Sequence, residues 1–136
     1  MTSPAYSLAA VVSTGELERF YSGMSVLVST AADGEPCAAL AAFSGLAIML
    51  DEDLYRRAQE PEATPSLSWA GRETFAGSLL ELRDTALQLE QLTIYACSAS
   101  VESMSVTPLD VEERLAGVMS TPRFLRETEG STFLFV

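Results

Sequence analysis

Apolar positions recur along this chain with two periods, and the changes of period divide it into elements. Arg72 to Glu90 is the plainest helix: Phe75, Leu79, Leu82, Ala86 and Leu89 step by four, three, four and three, with charges on the other faces. It leads into Leu92-Thr93-Ile94-Tyr95-Ala96-Cys97, whose β-branched and aromatic content predicts a strand. Ser98-Ala99-Ser100 opens a short helix to about Met104. Thr107-Pro108-Leu109-Asp110 reads as a helix start, with a capping Thr, Pro at the first position and an acid three residues after the cap. That helix stops at Gly117. Gly117 to Ser120 reads as a short strand, and Thr121-Pro122 starts a helix that ends near Gly130. Thr132 to Val136 closes the chain as an apolar strand, predicted to be central or covered on both faces.

The first half is less regular. Ala5 to Val12 fits either a short helix after Ser3-Pro4 or a strand. Thr14 followed by Gly15-Glu16-Leu17-Glu18 resembles a helix start, with acids suited to the first turn, and that helix is read as ending near Gly23. Ser25 to Thr30 reads as a strand between Gly23 and the turn Ala31 to Gly34. From Pro36 on, Leu40, Phe43, Ala47, Leu50 and Leu54 alternate steps of three and four, which predicts a helix over Cys37 to Leu50, buried nearly all round. It turns polar at Asp51, with Glu52–Arg56 and Asp53–Arg57 as pairs one turn apart, and stops at Pro61. A competing reading makes Ala38 to Phe43 a strand, hairpinned to Val26 to Thr30 across Asp33-Gly34. Glu60 to Gly71 reads as a loop carrying Trp69, either exposed as an interface residue or tucked under the loop as a local core. Strands separated by helices imply an α/β fold with helices on both faces of a mainly parallel sheet of about four to five strands. In such sheets, sites form at the carboxyl edge.

Charge narrows the chemistry. The chain carries 19 acidic side chains against 8 arginines, has no lysine or histidine, and has a net charge of −11. Such a surface repels phosphate backbones, so no nucleic-acid partner is expected. It keeps the protein soluble or steers it toward a basic partner. No apolar run reaches the ~18–20 residues of a membrane span, so no membrane partner is expected. No basic segment precedes the short apolar stretch Tyr6 to Val12, so a secretory signal is not expected. With only two cysteines, the reducing cytoplasm is the expected location. Without histidine the chain holds no Ser-His-Asp triad and no Cys-His dyad, and two cysteines alone do not complete a common zinc site. Without lysine there is no Schiff-base chemistry. No metal and no cofactor are expected; thiol chemistry, carboxylate chemistry and binding remain. The run Asp51-Glu52-Asp53 reads as a cation site or, with Arg56 and Arg57 one turn on, as a solvated helical face. Arg123 and Arg126 are left unassigned.

Cys97 is the candidate catalytic residue. It ends a strand, at the carboxyl edge, and precedes a helix start whose free N–H groups stabilise a thiolate. Ser98 and Ser100 add supporting hydroxyls. The competing reading is a core cysteine acting as a small hydrophobe. Cys37 is a possible second thiol: in the first turn of a helix after a strand, it would share that edge with Cys97 and form a redox or relay pair. The alternative for Cys37 is a core residue of an alanine-rich helix.

At these segments the chain resembles the DsrE/DsrF-like sulfur-relay family, which includes TusD-type carriers and sequences labelled peroxiredoxin-like. The resemblance lies in SVLVST (Ser25 to Thr30), CAALAAFSGLAIML (Cys37 to Leu50), SLLELRDTALQLEQLTIYACSAS (Ser78 to Ser100), RLAGVMSTPRFL (Arg114 to Leu125) and STFLFV (Ser131 to Val136). It covers roughly residues 24 to 136 and leaves 1 to 23 as an N-terminal extension packed on the domain. Where the family has a second aromatic and β-branched strand, this chain has the charged Asp51 to Glu60. The resemblance implies a DsrE-like three-layer fold, a homo-oligomer (a trimer or hexamer), and Cys97 as the cysteine that carries a persulfide. On that basis the expected function is a sulfur carrier or sulfurtransferase-like protein with a donor or acceptor protein as partner. The alternatives are a non-catalytic oligomeric binding module of the same fold and, third, a thiol redox sensor using Cys97 with Cys37. The Thr-x-x-Cys of peroxiredoxins is absent, since Ile94-Tyr95-Ala96 precede Cys97.

Overall fold

A computed structural model describes residues 4–136. Ser3, in the proposed Ser3-Pro4 cap, lies outside the described residues. Five strands form one fully parallel sheet: β1 (Leu8–Val12), β2 (Cys37–Ala41), β3 (Leu92–Cys97), β4 (Val118–Met119) and β5 (Thr132–Phe135), in the order β4-β3-β2-β1-β5. Between them lie α1 (Leu17–Ala32), α2 (Phe43–Leu50), α3 (Leu54–Arg57), α4 (Trp69–Gln88), α5 (Ser98–Ser103), α6 (Pro108–Arg114) and α7 (Thr121–Glu127). The fold is the expected three-layer α/β/α arrangement.

The connections from β1 to β4 step across the sheet in one direction. Right-handed crossovers therefore put their helices on one face. Phe20, Met24 and Leu27 of α1, Leu79 and Ala86 of α4 and Val111 of α6 all pack in one core with Leu8, Ala10 and Val12. The step from β4 back to β5 reverses direction, and α7 crosses the opposite face, where Phe124 packs with Ala9, Ala38 and Leu40. Alanine fills much of β1 and all but two positions of β2. All five β2 residues are buried, so both helix layers press on small side chains.

Helices α6 and α7 follow their local signals. The Thr107–Asp110 capping box forms, with Pro108 at the helix start, and Ser120 caps α7 ahead of Pro122. Elsewhere one open reading is settled and three expectations are corrected. Ala5 to Val12 resolves as a strand over Leu8–Val12 that lies between β2 and β5; residue 23, where an extension was expected to end, falls inside α1. Ser25 to Thr30, expected as a strand, is part of α1: Leu17, Phe20, Met24, Leu27 and Ala31 are buried at steps of three and four, whereas Val26 is exposed. Cys37 to Leu50, expected as one helix, is strand β2 followed by helix α2, and β2 pairs in parallel with β1 and β3, not in a hairpin with residues 26–30. β5, expected to be central or covered on both faces, is an edge strand whose Phe133 and Phe135 are exposed.

The polar segment after α2 also pairs differently. Arg56 bonds Asp53 and Glu60, and Arg57 pairs with Asp51. Trp69 is 87% exposed at the first position of α4, behind the Ser68 cap, so it is not a local core.

Candidate functional site

Cys97 is the last residue of β3 and lies in register with Met119 of β4. From these two neighbouring strand ends the chain leaves toward opposite faces: β3 feeds α5 and then α6, in the larger core, whereas β4 feeds α7 on the other face. This is the topological switch point of the sheet, the place where open α/β sheets form their ligand crevice. The starts of α5 and α7 flank it, and the thiol sits between them.

The groups that act on the sulfur are the backbone N–H groups of Ala99 and Ser100 and the hydroxyls of Ser100 and Thr121. Burial alone would push the Cys97 thiol up, but these donors outweigh it and hold it below its ordinary value. They act as nearby dipoles, because the Cys97 side chain makes no capping hydrogen bond to α5.

Ser100 is fully buried, and its orientation is set from a third direction. Phe43 N–H donates to Ser100 Oγ at 2.8 Å. With that lone pair occupied, the hydroxyl proton is free for the sulfur. Phe43 has φ +46°, the one positive φ at a non-glycine among the described residues, and it begins α2 directly after β2. This sharp strand-to-helix turn aims the amide at Ser100 and leaves the ring 48% exposed. The turn depends on Gly45, where a Cβ would stand 2.1 Å from the Val12 carbonyl oxygen. The far end of α2 is anchored by two arginines. Buried Arg83 donates to the Ile48 and Asp51 carbonyls at 2.9 and 2.8 Å, and Arg114 to the Leu50 carbonyl at 2.9 Å. Guanidinium groups at a helix C-terminus satisfy its open carbonyls and its dipole.

Cys37 lies elsewhere. It begins β2 in register with Leu92, the first residue of β3, so five residues of strand separate it from the level of Cys97. That is roughly 16 Å at ~3.3 Å per residue. The two thiols also face opposite sides of the sheet, Cys37 in the larger core and Cys97 in the smaller. The expected pair on one edge is therefore not formed, because Cys37 starts a strand and not a helix. Its Sγ donates to the Glu35 carbonyl at 3.3 Å. Burial first, and Glu35 second, push the Cys37 thiol up.

Of the two supporting serines, Ser100 faces the sulfur, whereas Ser98 is half-buried and is not among the groups that act on it. Sequence reasoning missed Thr121 and Phe43. Thr121-Pro122 was legible as a helix start after a short strand, but only the strand order brings that start beside Cys97. Among the described residues no group of histidine, cysteine and carboxylate side chains is arranged to hold a metal ion, and no helix is long and apolar enough to cross a membrane. No family model matches the chain, and no curated protein matches its sequence.

Proposed function

We propose that the chain is a sulfur carrier in which the Cys97 thiolate takes up a sulfane sulfur. The observation that supports this reading is the placement of Cys97 at the switch point, where groups of α5 and α7 act on its sulfur and the Phe43 N–H holds Ser100. The thiolate attacks the terminal sulfur of a donor persulfide. A Cys97–sulfur bond forms, the donor's S–S bond breaks, and the donor leaves as a thiolate. An acceptor thiolate then attacks the outer sulfur of the Cys97 persulfide and returns Cys97 as a thiolate. Neither step needs a histidine, because in each step a thiolate attacks sulfur and a thiolate leaves. The reducing cytoplasm suits a thiol that must stay free.

Intact-mass spectrometry after exposure to a low-molecular-weight persulfide tests the reading. A gain of one sulfur atom is expected, reversible by dithiothreitol and absent in Cys97→Ser. No gain in the wild-type protein would refute it.

A second reading, a binding module that makes no use of the thiol, is favoured by the 5% exposure of Cys97. On that reading Cys97→Ser leaves partner binding intact. A redox sensor that closes a Cys37–Cys97 disulfide is inconsistent with thiols roughly 16 Å apart on opposite faces.

A further inference from the structure

The outer edge of β5 is built like a strand that pairs with another. β1 lies on one side of it and, among the described residues, no strand on the other. Its register with β1 sets Phe133 beside Ala9 and Phe135 beside Val11. Both rings thus stand on the sheet face that carries Phe124. They are not covered by α7: Phe133 is 42% and Phe135 69% exposed.

The backbone completes the picture. Thr132 N–H donates to the Ser7 carbonyl at 3.0 Å and Val136 N–H to the Val11 carbonyl at 2.9 Å, both toward β1. In a parallel ladder each residue turns its N–H and C=O to the same side, and successive residues alternate. The N–H and C=O groups of Phe133 and Phe135 therefore point outward. Protected edges carry a charge, a proline or a bulge. Ser131 to Phe135 has no charged residue and no proline, and its pairing with β1 runs without a bulge.

We propose that β5 pairs with β5 of a second copy of this chain, antiparallel about a twofold axis at Leu134, so that two five-stranded sheets become one. In that register Phe133 of each copy lies opposite Phe135 of the other as a hydrogen-bonded pair, and every outward N–H and C=O of both strands is satisfied. The interface is isologous and closes at two copies. The four rings meet on one face.

Charge selects this partner. A chain of net charge −11 repels its own copies over most of its surface. The axis at Leu134 brings together segments without an ionisable side chain, so like charges do not face each other across the pairing. A basic partner would find no carboxylate there to bind. A fully buried Phe contributes ~150–250 Å², and these rings are already partly covered. The strip is thus smaller than the ~800 Å² per partner of a standard interface, as suits a weak, reversible dimer. The proposal does not depend on the sulfur-carrier reading.

Sedimentation equilibrium of the full chain under reducing conditions tests it. The weight-average mass is expected to rise from 14.6 kDa toward twice that value as concentration rises through the micromolar range. Phe135→Lys alters an exposed ring, so its melting temperature should match wild type while its dimer weakens at least tenfold. The register has its own test. Under mild oxidation Leu134→Cys should form a disulfide dimer across the axis, whereas Phe133→Cys, placed opposite residue 135, should not exceed the wild-type background. A wild-type protein that stays monomeric to several hundred micromolar would overturn the proposal. So would a Phe135→Lys dimer as tight as wild type, or Phe133→Cys cross-linking as readily as Leu134→Cys.

Discussion

Cys37 and Cys97 lie on neighbouring strands, and both are buried, at 0% and 5% exposure. Their surroundings are nevertheless opposite. Cys37 stands at the amino edge of β2, where the preceding backbone offers a carbonyl, and its S–H donates to Glu35. A carbonyl partner and burial both favour the protonated thiol. Cys97 stands at the carboxyl edge of β3, where the chain turns into α5 and presents N–H groups, and where the start of α7 adds a hydroxyl. In a parallel sheet, the end of the strand decides whether a buried cysteine meets acceptors or donors. Burial therefore does not separate an inert thiol from an activated one; the direction of the nearest dipoles does.

The sharpest way to break this contrast is alkylation followed by mass spectrometry of native protein near neutral pH. Cys97 should react through local opening at the switch point, between two short helices. Cys37, in the middle of a five-stranded sheet, should react only on global unfolding, with a rate at least ~10³-fold slower. Comparable rates at the two sites would remove the distinction.

A second test is Ser100→Ala. It deletes a hydroxyl that acts on the sulfur and leaves the Phe43 N–H without its acceptor. Alkylation of Cys97 near pH 7 should fall roughly three- to tenfold, about 0.7–1.4 kcal/mol, the size of one ordinary polar interaction, with the pH profile displaced upward. Ser98→Ala, which removes a hydroxyl not directed at the sulfur, should leave the profile unchanged. Equal effects of the two serines would contradict the geometry.

The same contrast shows what a sequence discloses. β3, α5, α6 and α7 were legible because they rest on local chemistry: a β-branched strand, a Thr-Pro helix start with its acid three residues on, and a second Thr-Pro start at Thr121-Pro122. Cys97 at the end of a strand was legible for that reason. α1 was not, although Leu17, Phe20, Met24, Leu27 and Ala31 carry the helical period, because Val26, Val28 and Thr30 form a β-branched run that imitates a strand. β2 was hidden by the reverse effect. Cys-Ala-Ala-Leu-Ala has helix-forming residues, and it is a strand because two helix layers need small side chains between them, a tertiary demand that outweighs propensity. Misplacing β2 moved Cys37 to the wrong edge, and strand order, which local sequence does not encode, put Thr121 and Phe43 beyond reach.

A smaller effect is expected in stability. Cys37→Ser keeps the donor to Glu35 but places an oxygen in an apolar core, which should cost about 1–2 kcal/mol in urea unfolding. Cys97→Ser supplies an oxygen to groups that already donate toward that point, and should cost under about 1 kcal/mol. At pH 7, a larger loss at Cys97 than at Cys37 would reverse the assignment of acceptors and donors.

The smallest effect, and the most specific, is how those two losses change with pH. The Cys97 thiol is held below its ordinary value in the folded chain, so the thiolate is favoured by folding. Its contribution is fully present above the unfolded pKa of ~8.5 and is lost as pH falls through the lower folded value. Cys37 is pushed up, so the folded chain keeps that proton longer than the unfolded chain does. Its contribution is full below ~8.5 and is lost as pH rises toward the higher folded value. In urea unfolding at pH 7, 8, 9 and 10, the stability difference between wild type and Cys97→Ser should therefore grow with pH. The difference between wild type and Cys37→Ser should shrink, with neither slope exceeding ~1.4 kcal/mol per pH unit, the limit for one proton. Opposite slopes would tie the two environments to the two strand ends, because burial by itself would push both thiols the same way. Parallel slopes would mean that the donors around Cys97 do not offset its burial, and Cys97 would then be a core cysteine like Cys37.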